Sequence, residues 1–139
     1  MGARRAAREA ALQTLYLCEV GKADAEVALD TYFAEHQPDA DAELRAFTSA
    51  LVRGVCEHRT DLDARIGAHA TNWRIGRLAL VDRLILRLGA WELEHARDTP
   101  AAVVLDEAIE LARTFGTDDS PKFVNGVLDA IRKKLGGNG

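Results

Sequence analysis

Leu78-Ala79-Leu80-Val81-Asp82-Arg83-Leu84-Ile85-Leu86-Arg87-Leu88-Gly89-Ala90-Trp91-Glu92-Leu93 is the stretch on which the fold turns. Wound as a helix, its apolar residues cover most of the circumference and leave a narrow polar stripe through Arg83, Arg87 and Glu94. A helix that is apolar nearly all round has to be enclosed by other elements. It is not a membrane span, because Asp82, Arg83, Arg87 and Glu92 interrupt it. The pattern begins near Arg74 or Arg77 and ends at Ala96, and it predicts the central helix of a bundle.

Helical signals continue on both sides. Upstream, Arg4 to Val20 carries an apolar stripe at Leu12, Leu15 and Tyr16, with Gly21 expected as its C-terminal cap. Asp24 is placed to cap a second helix with Val27, Tyr32 and Phe33 inward, and Pro38 separates it from a third that starts at Asp41 with Leu44, Phe47, Leu51 and Val55. Thr60 reads as the N-cap of a shorter helix with Leu62 and Ile66, and Cys56 to Asp63 is either a break or a bend. Downstream, Thr99-Pro100 places a cap before a proline at the first helical position, followed by Leu105, Ala108, Ile109 and Ala112. Gly116 closes that helix, and Ser120-Pro121 repeats the start signal ahead of Val124, Val127, Leu128, Ile131 and Leu135. The expectation is an all-α fold of about seven helices, forming one domain over residues 1–135 with a disordered Gly-rich tail at 136–139.

Composition agrees. The 139 residues are 47% hydrophobic, mostly Ala and Leu, with three prolines, which favours helix over sheet. Two cysteines, Cys18 and Cys56, are too few for a disulfide scaffold, and Met1-Gly2-Ala3-Arg4-Arg5 opens no continuous apolar leader. A reduced, cytoplasmic setting without a membrane partner is expected. Net charge is −4, which taken whole argues against a general nucleic-acid binder. The acidity is local, however: residues 19–63 hold 4 basic and 11 acidic side chains, whereas residues 1–18 hold three arginines and one glutamate.

Catalytic and metal constellations are lacking in the sequence. There is no Gly-x-Gly-x-x-Gly, no phosphate-binding glycine loop ending in Lys-Ser or Lys-Thr, and no Gly-x-Ser-x-Gly. Glu92-x-x-His95 occurs once, where a di-iron bundle needs two copies, and reads as solvated polar residues. Cys56-x-His58 diverges on a helix, and Asp61-x-Asp63 and Asp118-Asp119 fit helix starts. Neither a metal, nor a cofactor, nor an enzyme is expected.

Two features point to an anionic partner. Arg4, Arg5 and Arg8 fan over about 100° of the first helix, where cations oppose the helix dipole. They are either a solubilising N-terminus or phosphate ligands. Phe123 lies at the margin of the last helix's stripe, beside Lys122 and Asn125 and close to the helix start at Ser120. It is either a core ring or a stacking platform, with a cation and an amide at hand for a phosphate and a base edge.

Five blocks then carry a family resemblance. Arg4-Arg5-x-x-Arg8-Glu9, Gln13-x-Leu15-Tyr16, Asp82-Arg83-x-Ile85-Leu86-Arg87 with Trp91-Glu92-Leu93, Asp106-Glu107-Ala108-Ile109-Glu110-Leu111-Ala112, and above all Asp119-Ser120-Pro121-Lys122-Phe123-Val124-Asn125-Gly126-Val127-Leu128-Asp129 resemble the NusB family of bacterial transcription antitermination factors. The resemblance implies two small fused helical bundles. It implies binding to the boxA element of nascent RNA, chiefly from ribosomal RNA operons, jointly with NusE, a ribosomal small-subunit protein. With other Nus factors on RNA polymerase, such a complex resists premature Rho-dependent termination. Arg4, Arg5 and Arg8 match the family's RNA-binding start, and Ser120, Lys122, Phe123 and Asn125, near Asp119, match the rest of its RNA surface. Tyr16 and Asp82 match the NusE contact. Three arginines are fewer than the denser cluster of some relatives, which implies weak RNA binding without the partner. Between Ala23 and Thr71 the match is one of pattern, and no functional residue is assigned there. The family also occurs fused to RNA methyltransferases, but no catalytic domain is expected in these 139 residues. The alternative reading is a helical interaction module or homodimer with a masked RNA surface.

Overall fold

The computed structural model describes residues 2–70, 78–96 and 98–136. Among these the chain is all-α, with seven helices: α1 (Gly2–Gly21), α2 (Ala25–His36), α3 (Ala42–Glu57), α4 (Arg59–His69), α5 (Leu80–His95), α6 (Ala101–Phe115) and α7 (Ser120–Gly136). They form two compact units, α1–α3 ending at Glu57 and α4–α7 beginning at His58. No helix among the described residues is long and apolar enough to cross a membrane. The expected upstream start of the central helix at Arg74 or Arg77 lies outside the described residues. Of the expected tail, Gly136 ends α7, and 137–139 lie outside the described residues.

In the first unit α1 packs on both α2 and α3. Ala7, Ala10, Ala11, Leu12 and Leu15 line its buried face. Each fully buried leucine contributes about 2 kcal/mol. Thr14, buried on the same face, donates its hydroxyl to the Ala10 carbonyl at 2.8 Å. The expected stop at Gly21 is corrected by one residue: Gly21 is helical, and the left-handed position is Lys22, at φ 57°. Asp24 caps α2 as expected, its carboxylate accepting the Val27 N–H at 2.9 Å, and Asp41 does the same for Leu44 at the start of α3. Val27, expected inside, is 54% exposed; Ala28, Leu29, Tyr32 and Phe33 form the inner face instead. Arg53 donates to both carboxylate oxygens of Glu26, tying α3 to α2 at the surface.

His58 separates α3 from α4, so the stretch from Cys56 to Asp63 contains a break. The N-cap of α4 is His58 (φ −110°, ψ 17°), not Thr60, which is exposed inside the helix.

In the second unit α5 packs against α4, α6 and α7 and is its central helix. Leu84, Ile85, Leu86, Leu88, Ala90 and Leu93 are buried along it. Gly89 permits the close approach of α7, since a Cβ there would stand 2.6 Å from Leu128 Cδ1. The expected polar stripe is corrected at Arg87. That side chain is buried and donates from Nε and a terminal nitrogen to the two oxygens of Asp63 at 2.7 and 2.9 Å, fastening α4 to α5. Glu92 is buried too, rather than solvated. Pro100, not Thr99, occupies the N-cap position of α6.

Candidate nucleic-acid interface

The first cluster of candidate residues belongs to the α1–α3 unit. Arg4 and Arg5 are exposed in the first turns of α1. Arg4 lies across the ring of Phe47 from α3, its guanidinium carbon 4.7 Å from the ring centre. The Arg8 guanidinium lies 5.9 Å from the same ring, but its side chain is only 4% exposed. Of three arginines expected to point outward, two do. Arg8 is corrected to a buried residue that braces the Arg4–Phe47 contact, because its position on α1 faces α3. The stacked arrangement gives the exposed guanidinium a preferred orientation, worth about 0.5–1 kcal/mol at an exposed site. The sequence marks Phe47 only as part of the apolar stripe of α3: it lies in the stretch matched only by pattern, where a half-buried phenylalanine looks like any core residue.

Further along α1, Tyr16 is 45% exposed and Val20, one turn on, is 58% exposed. Two large side chains with this exposure on one face form a small apolar surface suited to protein contact.

The second cluster belongs to the α4–α7 unit and is set by the turn between α6 and α7. Ser120 is buried, and its hydroxyl accepts the Thr117 N–H at 2.9 Å. A Cβ at Gly116 would meet that hydroxyl at 2.5 Å, so glycine is required there. Ser120, expected on the RNA surface, is thus turned inward, where it fixes the start of α7. Pro121 then holds the first turn. This turn presents Lys122, exposed, and Phe123, half-buried, to a groove of about 540 Å³ whose other lining residues include His69, Asp119 and Gly126. The groove is lined by a phenyl ring, an ammonium and an imidazole, and Gly126 leaves it open because no atom lies within 4 Å of where its Cβ would be.

Asn125 is exposed but does not share that groove. Two residues on from Phe123 it is rotated by about 200°, and it lines a second groove of about 620 Å³ with Asp106, Asp129 and Arg132. There Arg132 first, and Lys133 after it, hold the Asp129 carboxyl below the usual carboxylate range. Arg132 and Lys133 both pair with that one carboxylate towards the end of α7, whereas Lys122 is the cation of its first turn. His69 was also missed: it reaches the Phe123 groove from the end of α4, and nothing local marks it.

Asp82 stands in the first turn of α5, half-buried. Its Oδ1 is shielded from solvent and has no hydrogen-bond partner among the described residues. Shielded, unsatisfied acceptors cost about 1–3 kcal/mol. Among the described residues no group of three or more His, Cys, Asp or Glu is arranged to hold a metal.

The NusB family model matches residues 5–133. The chain belongs to the NusB family. A NusB transcription antitermination protein from Sorangium cellulosum (strain So ce56) is 48% identical over 136 residues, covering 98% of this chain and 96% of the relative. Among solved structures, NusB from T. maritima superposes with a TM-score of 0.87 at 36% identity, over 94% of this chain and 91% of that one. A structure of antitermination factors NusB and NusE in complex with dsRNA gives 0.88 at 27% identity, over 97% and 99%. NusB membership accounts for a helical architecture without strands among the described residues.

Proposed function

We propose that this chain is a non-catalytic, cytoplasmic transcription antitermination factor that binds boxA single-stranded RNA of nascent ribosomal RNA transcripts together with NusE. With other Nus factors it helps RNA polymerase resist premature Rho-dependent termination. The observation that carries the reading is the groove at the start of α7, where Phe123 and Lys122 stand side by side. A partly exposed ring beside an ammonium suits an unpaired base and its phosphate, and single-stranded RNA is recognised through such stacking and edge contacts.

In this reading Arg4 and Arg5 neutralise phosphates, Arg8 and Ser120 position the contact residues, and Asn125 meets the RNA on the other side of α7. Tyr16 and Asp82 receive NusE, whose basic character as a ribosomal protein suits an acidic side chain. The sequence relatives carry the antitermination name, and one structural relative is described with NusE and dsRNA.

A gel-shift titration of labelled boxA RNA tests it, with and without NusE and with unlabelled duplex RNA as competitor. NusE should strengthen binding, and affinity should fall with salt at a log–log slope of about −0.7 per phosphate contact. No gain from NusE, or equal competition by the duplex, would count against this assignment.

A further inference from the structure

His58 and His95 have no part in the interface above, yet the fold brings their rings together. His58 is the N-cap of α4 and His95 the last residue of α5, and their ring centres lie 4.5 Å apart. Trp91, one turn back on α5, stacks on His95 with ring centres 5.5 Å apart and planes 27° apart. The three rings form a column, and its middle member, His95, is exposed. The two histidines line a groove of about 510 Å³ that follows one face of α4 through Asp61 and Arg65 to His69, with Lys134 of α7 on its wall. From residue 58 to residue 69 a helix advances about 16 Å. His69 also lines the Phe123 groove, so the two grooves meet at the end of α4. Formal charges along the α4 groove nearly cancel: Arg65 holds Glu94 at 3.3 Å, and exposed Asp61 stands against exposed Lys134. What distinguishes it is its rings.

We propose, resting on the RNA reading above, that the α4 groove is a second RNA subsite, which takes the unpaired nucleotides flanking boxA. The strand leaves the Phe123 groove past His69 and runs along α4, and a flanking base stacks on the column of His95, Trp91 and His58 while Lys134 meets a neighbouring phosphate. Histidine and tryptophan rings both serve as platforms for the bases of single-stranded RNA. Stacking of this kind tolerates any sequence, because every base has a flat face. The subsite therefore lends affinity to the flank without specifying its sequence. With one phosphate contact, it adds only about 0.7 to the log–log salt slope. A duplex, whose bases are already stacked on one another, gains nothing from it.

Anisotropy titrations of the full-length protein with NusE compare the boxA core with the same core extended by a short run of adenines at its 5′ or its 3′ end. For the wild type, one of the two extensions should tighten binding by at least about fivefold. His95→Ala should abolish that gain, whereas His95→Phe, which restores a ring, should keep it. Lys134→Gln, at an exposed position that the fold does not need, should reduce the gain and flatten the salt slope of the extended RNA by about 0.7. Phe123→Ala should weaken core and extended RNA alike. If the core binds and neither extension adds affinity, the subsite is overturned and the boxA reading stands; if the core itself does not bind, both fall. A loss in His95→Ala and Lys134→Gln that is equal for core and extended RNA, or that appears in NusE binding without RNA, would also overturn the proposal and mark the groove as a protein contact.

Discussion

Replacing Phe123 with alanine separates a stacking platform from a core ring, because the two roles have different costs. Truncating a fully buried phenylalanine costs about 3–5 kcal/mol. Phe123 is partly exposed at the edge of an open groove, so the loss in stability should stay below that range, under about 3 kcal/mol. A base stacked on the ring contributes about 1–3 kcal/mol, equivalent to boxA binding weakened by roughly 5- to 150-fold. Since the ring carries no charge, the salt slope should be that of the wild type, whereas Arg5→Ala should flatten it by about 0.7. The measurements are anisotropy titrations of labelled boxA RNA with NusE at several salt concentrations, alongside urea unfolding of each variant. A Phe123→Ala protein that binds RNA within about twofold of wild type while losing more than about 3 kcal/mol of stability would refute the reasoning.

The remaining predictions concern the frame around the site. Asp63→Ala leaves the 3%-exposed Arg87 side chain without its carboxylate and should cost about 2–4 kcal/mol in denaturant unfolding. Arg87→Met should cost less, since Asp63 is 24% exposed and can turn to water; the reverse order would contradict the buried-pair account. Lys22→Gly relieves a left-handed backbone position and should raise stability by about 0.5–1 kcal/mol, read as a higher urea midpoint. Gly89→Ala forces a methyl toward Leu128 and should destabilise by about 1–3 kcal/mol. Gly126→Ala meets no neighbouring atom and should stabilise α7 by up to about 1 kcal/mol while narrowing the Phe123 groove. Undiminished RNA affinity in that variant would argue that the base lies elsewhere.

What could be read in advance was local. The caps at Asp24 and Asp41, the proline starts near residues 100 and 121 and the apolar circumference of α5 are each decided within a few residues of chain. Arg87 was misread because its partner arrives from Asp63 on another helix, and no periodicity announces a carboxylate 24 positions away. Val27 was misread because α2 offers apolar residues on more than one side, and packing selects Ala28 and Leu29. The same division holds at the candidate interface. Lys122 and Phe123 are neighbours in sequence and in space, but Phe47 and His69 reach their places from other helices. Arg8 and Ser120 carry the right chemistry for an RNA contact, and only packing reveals that they are turned inward.

The separation of Phe123 and Asn125 onto opposite sides of α7 bears on how an RNA strand could be read. A strand touching both grooves has to pass over the ridge of the helix's first turns. Bases on either side cannot remain stacked on one another; each drops into its own slot while the backbone arches between them. Sequence preference at the two slots would then be set independently, and the nucleotide riding on the ridge would be free to vary. The first turns of α7 would act as a wedge that parses the strand, with the ring on one flank and the amide on the other.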